Sequence, residues 1–178
     1  MNIEKIIDQI IAVEKGYVND PDDSGGETNY GITVAVARAN GYTGPMRDMP
    51  VEVARSIYKR KYIIMPGFDK IAQISIAVVE ELVDTGVNMG QTTAAKFFQR
   101  ALNLFNVGSG YEILSVDGNL GPASLAAFKR FMEHRGADGE KVMVRVLNTL
   151  QGARYIDICT ENLSQKKFIF GWFLNRVS

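Results

Sequence analysis

Ile3, Ile6, Ile7, Ile10 and Ile11 recur at helical spacing, and Glu4, Lys5, Asp8 and Gln9 fill the positions between them. One apolar stripe on an otherwise polar segment predicts an amphipathic helix, with Gly16 as its stop. The pattern then breaks. Residues 17–32 (YVNDPDDSGGETNYGI) are dominated by Asn, Asp, Pro, Ser and Gly, so they read as a turn-rich loop with short strands at its ends. Helical spacing returns at Thr33, which can cap a short helix stopping near Gly41. Pro50 opens a helix that Val53, Ile57 and Tyr58 carry toward Tyr62. Residues 71–89 read as one buried helix ending near Gly90. Thr92 or Thr93 caps the next, with Phe97, Phe98, Ala101, Leu102 and Phe105 on its apolar face. A Gly/Ser break at 108–110 and a tight VDGNLG turn lead to Pro122, which opens another helix. Residues 139–160 form a further long one, and Phe168 to Leu174 close the chain around Trp172. The expected fold is mainly α, with a short β/loop excursion after the first helix and a helical C-terminal half.

Composition narrows the classes. The 178 residues are 46% hydrophobic and 22% charged, with 20 basic and 20 acidic side chains. No net charge draws the chain to nucleic acid. The single Cys159 excludes an internal disulfide, and the single His134 excludes an HExxH zinc centre. No run reaches the ~20 apolar residues that span a bilayer, and the N-terminus has no signal-peptide pattern. The expectation is a protein made in the cytoplasm, not inserted in a membrane, and monomeric. No cofactor and no metal are expected.

Glu14 is the informative residue. The stripe Ile3, Ile7, Ile10 continues by helical spacing to position 14, which puts a carboxyl on the buried face at the helix C-terminus. Desolvation and the negative end of the helix dipole both favour its protonated form. A carboxylic acid held protonated near neutral pH is what general-acid cleavage of a glycoside requires. The plainer alternative is a frayed helix end with Glu14 in solvent. Just beyond it, Asp20, Asp22, Asp23, Glu27 and Thr28 come from one sharply turning loop, and a second carboxylate near a raised-pKa acid completes the minimal glycosidase pair. Asn29 and Tyr30 are suited to holding sugar hydroxyls and an acetamido group. The competing readings are an acidic surface turn and a calcium loop. Asp20, Asp22, Ser24 and Gly25 mimic the opening of the latter, but Gly31 stands where its bidentate glutamate belongs. Cys159 sits among Ile156 and Ile158, away from any activating helix N-terminus, so Cys159 reads as inert and His134 as a surface residue rather than as a thiol-peptidase pair.

The stretch VEKGYVNDPDDSGGETNYGIT resembles the signature of glycoside hydrolase family 108, the N-acetylmuramidase type of phage endolysin. Glu14, Gly16-Tyr17, Asn19-Asp20-Pro21, Gly25-Gly26, Thr28 and Gly31-Ile32 match that pattern, and Lys15 stands where glycine is usual. Further on, FFQRALN and VDGNLGPASLAAF are similar to the first helix and the Asp-Gly-x-x-Gly-Pro loop of peptidoglycan-binding helical modules, with Ser124 in place of threonine. KFIFGWFLNRV looks like the terminus of the same endolysins.

The resemblance implies a lysozyme-like fold and bacterial peptidoglycan as substrate. It implies Glu14 as general acid, with Asp20 or Asp23 as second carboxylate or Thr28 holding water. Tyr17, Asn29, Tyr30 and Asp117 are implied as substrate contacts. The expected layout is a catalytic region at 1–90 and a peptidoglycan-binding-like region at 91–178. No Pro/Gly/Ser linker separates them, so they are expected to pack as one compact unit. The expected activity is hydrolysis of β-1,4 links between N-acetylmuramic acid and N-acetylglucosamine, with release through a holin or another export route. The alternatives are a lytic transglycosylase and a non-catalytic wall-binding or secretion-accessory protein.

Overall fold

The computed structural model describes residues 2–13, 16–19, 26–108 and 110–177. Glu14, Asp20, Asp22, Asp23, Ser24 and Gly25 lie outside the described residues. The chain divides into two compact units, residues 1–65 and 66–178.

In the first unit, α1 (Ile3–Val13) packs on α3 (Val51–Lys59). Ile6 and Ile7 are its fully buried positions, against a face of α3 that buries Ala54, Ile57 and Tyr58. Ion pairs from Asp8 to Arg55 and from Glu4 to Lys59 (2.6 Å) tie the two helices along their solvent edge. Between them in sequence lies a two-residue antiparallel hairpin, β1 (Thr28–Asn29) and β2 (Ile32–Thr33), paired Thr28 to Thr33 and Asn29 to Ile32. Its turn residues Tyr30 and Gly31 both have positive φ, at 51° and 70°. That is the primed-turn geometry that matches strand twist in a two-residue hairpin. Thr33 then accepts a bond from the Val36 amide and caps α2 (Val34–Ala39), as its position after the loop predicts. After α3 the chain tightens into a π-helical turn, Arg60–Ile64.

The second unit is built around α5 (Ile76–Met89), which packs on α4 (Phe68–Ala72), α6 (Gln91–Leu104) and α7 (Pro122–Glu161). The expected single helix over 71–89 is two. Ser75 is extended, and its hydroxyl accepts from the Val78 amide, so a side-chain cap restarts the helix at Ile76. The cap of α6 is Gly90, at φ 91°, ahead of the threonines expected there. Gly136 (φ 58°, ψ −144°) breaks α7 in the middle, where the sequence pattern already separates one helix from the next. Phe98 and Phe128 meet edge to face at 5.1 Å. The C-terminal α8 (Lys166–Asn175) returns to α7, where Trp172 stacks on Tyr155 at 4.5 Å. Cys159 is buried. Compactness therefore divides the chain at Met65/Pro66. The 90/91 boundary read from the motifs falls between α5 and α6, which are packed neighbours.

Candidate active site

The ends of the acidic loop are joined. Val18 and Thr28 form an antiparallel bridge, with amide-to-carbonyl distances of 2.9 and 2.8 Å in the two directions. This adds the segment after α1 to the edge of the hairpin, so Tyr17, Thr28 and Tyr30 come from adjoining stretches of backbone. Side chains alternate along a strand. Asn29 is the inward member, 4% exposed, and its amide donates to the carbonyls of Met46 (2.8 Å) and Arg47 (3.3 Å). This side chain, read above as a sugar contact, fastens the hairpin to the 3-10 turn Met46–Asp48. Thr28, its neighbour, is half-buried on the other face and bonds no described residue through its hydroxyl.

Two further side chains complete this framework. The Arg47 guanidinium lies 5.0 Å from the centroid of the Tyr17 ring, a cation–π contact that holds the aromatic at the mouth of the loop. The Tyr58 hydroxyl donates to the Tyr30 carbonyl at 2.8 Å. Tyrosine in the left-handed region is strained by roughly 1–2 kcal/mol, and this bond helps to fix it there. Beside the turn is a groove of about 110 Å³ lined by Gly31, Tyr58, Lys61 and Tyr62, with the two tyrosine rings stacked at 5.5 Å. A wider groove of about 360 Å³ runs past Tyr42, Glu52, Ser56 and Arg60. Neither Arg47 nor the Tyr58–Tyr62 pair stands out in the sequence, because a tyrosine at helical spacing reads as packing.

Asp117 is in the second unit, at the exposed turn before α7. Its carboxylate accepts from Gln99 Nε2 (2.9 Å) and from the Asn119 amide (2.8 Å). Those bonds, the one from Gln99 first, hold its pKa below the ordinary carboxylate value. The side chain organises the VDGNLG turn. A buried polar network also emerges that no motif announces. Glu81 of α5 accepts from Asn148 (2.8 Å), while Asp84 accepts from Gln151 (2.7 Å) and pairs with Arg176 (2.6 Å). Burial first, and then the charge of Asp84, raise the Glu81 carboxyl to about 8. Burial likewise pushes the adjacent Tyr155 up to about 12. The signal was present in the sequence: Glu81 shares the face of Val78, Leu82 and Thr85. Among the described residues no cluster of three or more His, Cys, Asp or Glu is placed to hold a metal ion, and no helix is long and apolar enough to cross a membrane.

Comparison with known proteins defines the class. The solved structure of Brucella abortus SagA is similar over 97% of this chain and 94% of that one, with a TM-score of 0.60 at 21% identity. The shared fold is the mainly α, lysozyme-like one. No curated protein matches the sequence. Residues 7–90 match the family model of glycosyl hydrolase 108, and residues 93–177 match the predicted peptidoglycan domain. The first half of the chain thus matches glycosyl hydrolase 108 and the second a predicted peptidoglycan domain, and the two matches in this order support a peptidoglycan hydrolase family.

Proposed function

We propose that the protein hydrolyses the β-1,4 bond between N-acetylmuramic acid and N-acetylglucosamine in bacterial peptidoglycan. The observation that carries this reading is the glycosyl hydrolase 108 match over 7–90. It spans Glu14, the 20–23 aspartates and Thr28, whose hairpin is braced from three sides. Glu14, following α1, protonates the leaving glycosidic oxygen. An aspartate of the loop stabilises the oxocarbenium charge on the other face of the sugar, or activates a water that the Thr28 hydroxyl helps to hold. Tyr17 and Tyr30 line the approach. The protein acts as a monomer on the wall after release from the cytoplasm through a holin or an equivalent route.

Glu14→Gln keeps the shape and removes the proton. Turbidity clearance of purified peptidoglycan should fall by ~10²–10⁴-fold with the melting temperature unchanged. Activity within about tenfold of wild type would refute the assignment. Asn substitutions at Asp20, Asp22 and Asp23, with Gln at Glu27, should leave one variant far below the rest. Mass spectrometry of the digest should show reducing muramic ends, whereas 1,6-anhydro ends would mean a transglycosylase.

A further inference from the structure

The break in α7 at Gly136 opens a groove that nothing above uses. Its volume is about 330 Å³, and its lining is Phe105, Phe131, Arg135, Asp138, Gly139 and Val142. Phe105 and Phe131 lie 5.5 Å apart and form an apolar base. The two charged residues flank the break. Arg135 ends the first half of α7, and Asp138 begins the second. Arg135 is exposed and makes no ion pair among the described residues, and Asp138 meets only the exposed Lys141, at 3.4 Å. A guanidinium and a carboxylate thus share one rim, three residues apart, and neither neutralises the other.

The close approach of the walls depends on Gly139. A Cβ there would stand 2.7 Å from Arg135 Cβ and 3.2 Å from Phe131 Cε1. A helix-interior glycine costs roughly 1 kcal/mol relative to alanine, so the closeness of these walls is maintained against local propensity.

The lining chooses between the two parts of peptidoglycan. A glycan is neutral at most of its hydroxyls and is usually held by amide and hydroxyl side chains, of which this groove has none. The Phe131 ring is 1% exposed and offers no free face, and the half-buried Phe105 packs on it at 5.5 Å, so the base of the groove has no pair of open rings to sandwich a sugar. An unpaired cation beside an anion, over an apolar base, instead complements a group bearing a carboxylate and an ammonium on one short aliphatic carrier. We propose that this groove binds the peptide stem of peptidoglycan through an amino-acid zwitterion, with Arg135 on the carboxylate and Asp138 on the ammonium. The proposal rests on the reading of the protein as a peptidoglycan hydrolase and adds which part of the polymer the second unit holds.

The test uses the full chain and two soluble probes, with amide NMR shifts as readout. One probe is a sugar-free stem tripeptide ending in diaminopimelate, whose distal carbon carries both charges. The other is the same tripeptide ending in lysine, which lacks the distal carboxylate. The first should shift Arg135, Gly139 and Val142 at millimolar concentration. The lysine analogue, Arg135→Gln and Asp138→Asn should each weaken binding about tenfold or more, the loss expected of one charge-assisted bond. Unchanged signals at these positions with the first probe, or equal affinity of both probes and both variants, would overturn the proposal. Hydrolysis of intact, stem-bearing peptidoglycan by the wild type is measured separately. Peptide binding without hydrolysis would sink the enzymatic reading alone, and hydrolysis without peptide binding would sink the groove alone.

Discussion

Replacing Glu81 by Gln tests how burial and charge are balanced at the centre of the second unit. Glu81 is 9% exposed, Asn148 donates to one of its oxygens, and its other oxygen has no hydrogen-bond partner among the described residues. Burial, reinforced by Asp84, moves its carboxyl from the ordinary 4.5 to about 8. The native state therefore binds a proton that the unfolded chain releases between those values. Stability is fully present below the unfolded pKa and is lost as pH rises through the folded one. One pKa unit corresponds to about 1.4 kcal/mol. Between about pH 5 and pH 7 the wild type should lose on the order of 2–3 kcal/mol from this group alone, with the loss levelling off above the folded value. Glutamine cannot ionise and still offers Asn148 a carbonyl. Its NH₂ introduces a buried donor, a cost that does not vary with pH. Urea unfolding of both proteins across this range should show the variant gaining on the wild type as pH rises. A difference between the two that stays constant with pH would refute the reasoning, because Glu81 would then bind its proton equally in the folded and unfolded chains.

Tyr58→Phe removes the donor to the Tyr30 carbonyl and should cost about 1 kcal/mol, read as a lower urea midpoint at unchanged slope. An unaltered midpoint would mean that the hairpin turn is held by other contacts. Residues 66–178 should give a dispersed amide spectrum when expressed alone, since they form a compact unit. Residues 91–178 should not, because α6 and α7 then lose α5 and Asn148 loses Glu81. A dispersed spectrum from the shorter piece would show that α5 is dispensable.

The helices were legible wherever one apolar face runs unbroken, as in α1, α3 and α6. Pro122 and the glycines near 90 and 136 punctuate them visibly in the sequence. The region 71–89 reads as one helix because apolar residues (Ile71, Ile74, Ile76, Val78) continue on both sides of Ser75. Only the extended backbone at Ser75, held by its own hydroxyl, divides it. Of the candidate site, Tyr17 and Thr28 are legible as members of one motif and Tyr30 as a polar aromatic beside it, and the Val18–Thr28 bridge brings these stretches of backbone together. Asn29 was legible as polar but not as inward-facing, since strand parity is set only once the register of the hairpin is known.

Local pattern alone thus settled the helical class and the polar excursion after α1. These follow from spacing and turn chemistry, which act over a few residues. Tertiary structure decided the partners of each polar group: Asn29 on the Met46 and Arg47 carbonyls, Tyr58 on Tyr30, Glu81 on Asn148, and Arg176 on Asp84 across 92 positions of sequence. A buried polar atom must be satisfied by whatever the fold brings within about 3 Å, and no periodicity in the chain encodes which distant residue that will be.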